Sequence, residues 1–101
     1  MGLPRFHETL VSAIAHRRTL QLRYHGLVRT VEPHVYGIDR HGHTLLRCYQ
    51  TAGGSLSGKL GWKLLRTDEI RSMRATSIPI EGPRPGYEPE DPVMETILAR
   101  L

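Results

Sequence analysis

Hydrophobic residues follow a helical spacing at the start of the chain and then alternate with polar ones. Over residues 5–18, Phe6, Leu10 and Ile14 fall on one helical face, which predicts an N-terminal helix. Over residues 19–24 every second residue is apolar, and this alternation is typical of a half-buried strand. Patterns of this kind predict five strands, over residues 19–24, 28–38, 43–50, 62–66 and 70–75.

These elements together predict a mainly β fold with flanking helices. Five short antiparallel strands after one helix indicate a small Sm-like or SH3-type five-stranded antiparallel barrel. Pro33 has no N–H to donate to a ladder, so its strand is expected to lie at an edge or to bend there.

The pattern changes again after residue 76. Five prolines between residues 77 and 92 predict an extended arm, because such a density excludes helices and central strands. Asp91-Pro92 then resembles a helix start. We therefore expect two units, a barrel domain with its helix at 1–76 and a Pro-rich arm with a C-terminal amphipathic helix at 77–101. The apolar stripe of that helix could dock on its own barrel, on a second copy in a homodimer or on a regulatory protein; it consists of Val93, Met94, Ile97, Leu98 and Leu101.

Composition and charge narrow the classes of function. Of the 101 residues 39% are hydrophobic and no apolar run is long enough to span a membrane, which indicates a soluble domain without membrane contact. The single cysteine, Cys48, excludes an internal disulfide and favours a cytoplasmic location. Residues 1–74 carry 12 Lys/Arg against 5 Asp/Glu, whereas residues 75–101 carry 2 against 5. A basic body with an acidic tail favours an anionic partner, nucleic acid above all.

The stretch from Gly53 to Ile70 concentrates the candidate chemistry. A Gly/Ser loop here leads into a strand, and the spacing of Gly53 and Gly58-Lys59 imitates a phosphate-binding P-loop. The next residue is Leu60 where such a loop needs Ser or Thr for magnesium, so we reject nucleotide hydrolysis.

Basic residues interleaved with aromatic ones and loop hydroxyls form the predicted ligand site. Guanidinium and ammonium groups hold phosphates, while aromatic faces stack on bases without much sequence preference. The alternative is an ordinary domain with core aromatics and a charged exterior. The candidate residues are Tyr24, Arg29, Arg47, Ser55, Ser57, Lys59, Trp62, Lys63 and Arg66.

Catalytic and metal-binding interpretations have weaker support. Cys48 or a serine, together with a histidine, could form the active site of a small hydrolase. However, no sequence motif indicates a nucleophile, a base and an orienting group. His41 and His43 have no further ligand near them in sequence. We therefore expect no enzyme, no metal and no cofactor.

Three segments resemble the WYL domain, a module of bacterial transcription regulators. The first runs from Ala13-Ile14 to Leu22-Arg23-Tyr24, the second is Arg29-Thr30-Val31-Glu32-Pro33, and the third covers residues 63–70. The family's Trp-Tyr-Leu triplet would fall at Thr44-Leu45-Leu46, and we expect no helix-turn-helix before or after the domain. The resemblance implies a stand-alone WYL-like domain with an Sm-like SH3 barrel that senses a nucleic-acid or nucleotide-like ligand and passes that state to a partner.

Two functions from different classes follow. The first is a ligand-sensing regulatory domain that binds single-stranded nucleic acid or a nucleotide. The second is a protein–protein adaptor whose Pro-rich arm and last helix hold another protein.

Overall fold

Six strands and one helix make up the fold. The computed structural model describes residues 3–101. In chain order the elements are α1 (His7–Ala15), β1 (Arg18–Tyr24), β2 (Leu27–Ile38), β3 (Thr44–Gly53), β4 (Gly61–Arg66), a 3-10 turn (Thr67–Glu69), β5 (Ile70–Pro79) and β6 (Thr96–Arg100).

The strands form one antiparallel sheet that stays open, so the prediction of a five-stranded barrel is wrong. The hydrogen-bonded order is β4-β3-β2-β1-β5, and β6 adds to β2 as a sixth strand. Only the 3-10 turn joins β4 to β5, and within residues 3–101 no ladder closes the sheet between them. At this junction the backbone N–H of Arg66 donates to the hydroxyl oxygen of Tyr24 at 3.2 Å. In a closed barrel this N–H would instead donate to a backbone carbonyl of a neighbouring strand.

Along one edge, strand β2 pairs first with β1 and then with β6. Its first half pairs with β1, ending at the Leu20–Val31 pair, and its second half pairs with β6, beginning at the Val35–Arg100 pair. Pro33 lies between the two segments, and the register against β3 shifts between Pro33 and Val35. A residue without an N–H is tolerated here because β2 changes partners at this point.

The predicted C-terminal helix is also wrong, because this segment forms β6. Asp91 does begin a turn, accepting at its side chain from the N–H of Val93 at 3.1 Å and at its carbonyl from Met94 at 3.0 Å. The N–H of Glu95 then donates to the carbonyl of Ile38 at 2.8 Å and starts the ladder. A helix of so few residues is marginal alone, whereas the free edge of β2 offers hydrogen-bond partners to the backbone groups of β6 that face it.

The N-terminal helix is present but shorter than the predicted range 5–18. It ends at Ala15, and Arg17 takes a φ of 54°, a left-handed conformation that ends a helix. Strand β1 starts one residue later.

Two apolar clusters lie on the two faces of the sheet. The larger cluster joins α1 to the inner face and includes Leu10, Leu22, Tyr36 and Leu46. The smaller one, built on Val35, Leu45 and Met94, lies under the C-terminal segment. Of the predicted docking stripe, Met94 is buried, Leu98 and Leu101 pack on the larger cluster, Ile97 packs on the smaller one and Val93 is exposed.

The Pro-rich segment, residues 80–92, lies against the sheet. Arg84 forms a two-point ion pair with Glu32 on β2, with nitrogen–oxygen distances of 2.7 and 3.1 Å. Near the other end, Asp91 pairs with Arg47 on β3 at 2.7 and 3.3 Å. The segment is therefore anchored by one ion pair near each of its ends.

Candidate anion-binding site

Arg29 is a buried arginine without a carboxylate partner. It lies on the inner face of β2, paired in register with Leu22 of β1 and Gly53 of β3, and is 4% exposed. Among residues 3–101 no acidic oxygen lies within 4.0 Å of its guanidinium. A buried charge is costly unless it is paired, so this guanidinium lacks the counter-ion that burial normally requires.

The contacts of Arg29 are long, and one of its donors has none. Its Nη1 donates to Oε1 of Gln50 at 3.5 Å and its Nη2 to the carbonyl of Tyr24 at 3.4 Å. Its Nε has no hydrogen-bond partner among the described residues. The guanidinium carbon lies 5.1 Å from the centre of the Tyr24 ring, and this cation–π contact partly offsets the missing charge pairing.

Gln50 connects Arg29 to the Gly/Ser loop. Its Nε2 donates to the carbonyls of Ala52 and Gly54 at 3.1 and 3.0 Å. These bonds turn Oε1 toward Arg29 and hold the start of the loop beside the guanidinium. Gly53 permits this approach, because its φ is 94° and an added Cβ would lie 2.2 Å from the carbonyl oxygen of Val28.

The loop gathers its own polar groups around two serines. Ser55 donates to the carbonyl of Lys59 at 2.9 Å, and the N–H of Lys59 donates to Oγ of Ser57 at 3.3 Å. The ammonium group of Lys63 reaches Oγ of Ser57 at 3.2 Å. The structure thus brings Ser55, Ser57 and Lys59 of this loop together with Lys63 of β4.

Lys63 shares the inner face of the sheet with Arg29. It pairs in register with Cys48 of β3, and both cations, together with Arg47, act electrostatically on that thiol. Burial nevertheless dominates and raises the pKa of Cys48 to about 12. The candidate site therefore combines a buried guanidinium, the exposed ammonium group of Lys63 and loop hydroxyls, which are groups that can hold an anion with several oxygen atoms.

Tyr24 forms the wall of the site at the end of β1. Its hydroxyl donates to Oε1 of Glu69 at 3.2 Å and accepts from the N–H of Arg66. Burial, opposed by the bond from Arg66, raises the pKa of Tyr24 above its ordinary value. Its ring stacks on His25 with centroids 4.0 Å apart, so the ring is already in contact on that side.

The remaining predicted residues, Arg47, Trp62 and Arg66, point away from this site. Trp62 and Arg66 alternate with Lys63 along β4, and Arg47 alternates with Cys48 along β3. Trp62 donates from Nε1 to the carbonyl of Pro85 at 2.9 Å, so the Pro-rich segment covers it.

Both of these arginines already hold carboxylates. Arg66 pairs with Asp68 at 2.7 Å and approaches Glu69 at 3.8 Å, while Arg47 holds Asp91. A carboxylate in contact lowers the ability of each guanidinium to attract a further anion. The structure accordingly separates the predicted basic residues into Arg29 and Lys63, which have no carboxylate partner among the described residues, and Arg47 and Arg66, which are paired within the fold.

Gln50 is a candidate site residue that the sequence pattern does not indicate. A buried glutamine in a strand gives no local signal of its partner, although it shares the inner-face alternation of Leu46 and Cys48. Among the described residues no group of three or more His, Cys, Asp or Glu is placed to hold a metal ion. The helix that the structure describes is too short and too polar to cross a membrane.

Comparison with known proteins finds no relative of this chain. No protein-family model, no curated protein and no solved structure matches it. The likeness to the WYL domain therefore rests on the three sequence segments alone.

Proposed function

We propose that this protein is a WYL-like ligand-sensing regulatory domain that binds an anionic ligand, a nucleotide or a single-stranded nucleic acid. The ligand contacts Arg29, Lys63 and the loop around Ser57, and the bound state is passed to a partner. One observation carries this proposal: Arg29 is buried and positively charged and has no carboxylate within residues 3–101.

Binding without chemistry is the function that these groups support best. The thiol of Cys48 is fully buried and its pKa is raised to about 12, which removes it as a nucleophile near neutral pH. Ser55 and Ser57 bond to each other and to the loop backbone, and no histidine hydrogen-bonds to either of them. A serine without a base is a weak nucleophile but a good phosphate ligand.

The adaptor alternative receives less support. It relied on a C-terminal helix on a free tether, whereas this segment is a sheet strand and the tether is anchored through Arg84 and Asp91. Met94, one of the five residues of the predicted stripe, is only 8% exposed.

The proposal is tested by comparing two basic residues of the same strand. Lys63→Ala removes a cation from the inner face, and Arg66→Ala removes one that is already paired with Asp68. Both are titrated by fluorescence anisotropy with a labelled mononucleotide and a single strand of roughly 12 nucleotides. We expect Lys63→Ala to weaken binding of both ligands by about tenfold, the equivalent of one charged hydrogen bond.

Arg66→Ala serves as the matched control, since it changes the net charge by the same amount. Its effect should stay below about threefold. Equal losses of affinity in the two variants would show that only the net charge of the protein matters. Undetectable binding of both ligands by the unaltered protein at low salt would reject the proposed function.

A further inference from the structure

A second concentration of positive charge lies on the outer face of β1 and β5, where no ligand-binding role was predicted. The antiparallel register places Gln21 opposite Arg74 and Arg23 opposite Ser72. Because side chains alternate along a strand, these four point away from the inner face that carries Leu22. They surround a concave space of about 230 Å³ that Val28 of β2 also lines.

The two arginines of this outer pocket have no acidic neighbours. Arg23 and Arg74 are both exposed, and neither lies within 4.0 Å of a carboxylate among residues 3–101. No Asp or Glu occurs between residues 9 and 31 or between residues 70 and 80, so both strands that form the pocket lack negative charge altogether. The electrostatic potential at the pocket is therefore positive, and no carboxylate of β1 or β5 offsets it.

The spacing of the arginines matches a ligand with several charged oxygens. Arg23 and Arg74 are diagonal neighbours on one face of an antiparallel pair, about 7–8 Å apart at the backbone, which long side chains bridge easily. Gln21 orients Arg74 by accepting from its Nε at 3.1 Å and from its Nη2 at 2.8 Å. The Nη1 group of Arg74 and the whole guanidinium of Arg23 form no hydrogen bond to the described residues.

The rest of the pocket complements such a ligand. Ser72 supplies a hydroxyl, and Val28, 44% exposed, supplies an apolar wall. The volume is several times the ~30 Å³ of a water molecule, enough for a phosphate group and part of the sugar that carries it. The neighbouring guanidinium groups of Arg23 and Arg74 repel each other, and an anion bound between them replaces this repulsion with attraction to both.

We propose that this outer pocket is a second anion site, which holds a phosphate ester between Arg23 and Arg74. The phosphate comes either from a free mononucleotide or from the backbone of a single-stranded nucleic acid. In the second case the pocket extends the proposed function, because a strand gains affinity from a phosphate contact that a mononucleotide bound near Arg29 cannot make.

Arginine-to-glutamine variants of the pocket test this. Arg23→Gln and Arg74→Gln keep most of the side-chain length, and Arg40→Gln in the exposed β2–β3 hairpin is the control for net charge. Affinity for a single strand of roughly 12 nucleotides and for a mononucleotide is measured at several salt concentrations.

We expect each pocket variant to lose about three- to tenfold in oligonucleotide affinity. The slope of log affinity against log salt should fall by about 0.7 for each phosphate contact removed. Arg40→Gln should change neither quantity beyond the effect of net charge. A loss confined to the oligonucleotide identifies a nucleic-acid backbone, and a loss with the mononucleotide identifies a free phosphate ester.

The outcome is independent of the site around Arg29. If Lys63→Ala weakens binding while Arg23→Gln and Arg74→Gln behave like Arg40→Gln, the outer pocket is overturned and the proposed function stands. If the pocket variants lose affinity while Lys63→Ala does not, the proposed ligand site around Arg29 is overturned and the outer pocket carries the binding. Circular dichroism of each variant confirms that the loss does not come from unfolding.

Discussion

The backbone N–H of Arg84 donates to Nε2 of His34 at 3.1 Å and joins the Pro-rich segment to the sheet. The other ring nitrogen, Nδ1, lies 2.8 Å from the carbonyl oxygen of Glu32 and must be the donor there. Both roles are fulfilled only by neutral imidazole with its proton on Nδ1. His34 is fully buried, also contacts the rings of Trp62 and Tyr87, and is therefore the centre of the contact between segment and sheet.

This relationship predicts a loss of stability in mild acid. Burial lowers the pKa of His34 below its ordinary value, against the opposing effect of Glu32. The unfolded chain therefore binds a proton more readily than the folded one. The contribution of His34 is complete above the unfolded pKa of about 6.5 and is lost as the pH falls from there toward the folded pKa.

Thermal melts at pH values on both sides of 6.5 measure this contribution. We expect His34→Gln to have a lower melting temperature at neutral pH and a shallower decline between neutral and mildly acidic pH than the unaltered protein. His41→Gln, which removes an exposed histidine of the β2–β3 hairpin, should keep the original pH dependence. An unchanged decline in His34→Gln would assign the acid sensitivity to the other histidines.

Gly37 provides a test of the β2–β6 pairing. A Cβ at this position would lie 2.3 Å from the carbonyl oxygen of Thr96 and 3.1 Å from the sulfur of Met94. Gly37→Ala should therefore push β6 away and cost about 1–3 kcal/mol, the usual range for overpacking. For a domain of this size, each kcal/mol lowers the melting temperature by about 4–8 °C.

Gly82→Ala is the control for this substitution, because nothing lies within 4 Å of the Cβ that it would introduce. Hydrogen exchange then locates the effect, which should appear as lost protection in β6 and the second half of β2. If Gly37→Ala melts at the same temperature as the control and β6 stays protected against hydrogen exchange, the close contact with Thr96 does not exist.

The alternation of apolar and polar residues was enough to predict the first five strands to within a few residues. The face on which a side chain lies is a local property, so the opposite orientation of Trp62 and Lys63 was also predictable. Strand β6 was not, because the stripe of Met94, Ile97 and Leu98 has helical spacing. Only the free edge of β2, distant in sequence, makes that segment a strand.

The candidate site was predictable as a set of residue types but not as an arrangement. The basic residues were all visible in the sequence, yet the distant carboxylates that pair with Arg47 and Arg84 were not. Asp91 is 44 residues from Arg47, and Glu32 is 52 residues from Arg84. Which arginine keeps its charge free for a ligand depends on such distant pairings, and the sheet topology decides them.

The proposed anion binding depends most on Arg29, whose charge is buried without a counter-ion among the described residues. Replacing an unpaired buried charge with an apolar residue of similar length is often neutral or stabilising. Arg29→Met should therefore melt at or above the temperature of the unaltered protein when no ligand is present. A ligand that uses this guanidinium should raise the melting temperature of the unaltered protein but not that of the variant.

The decisive measurement is the melting temperature of both proteins with and without a mononucleotide in large excess. Saturation to about 100 times the dissociation constant stabilises the unaltered protein by about 2.7 kcal/mol. We predict that this increase is absent in Arg29→Met, whose melting temperature without ligand is unchanged or higher. A variant that is strongly destabilised without ligand, yet gains the full increase when the mononucleotide is added, would show that Arg29 is structural and that the anion binds elsewhere.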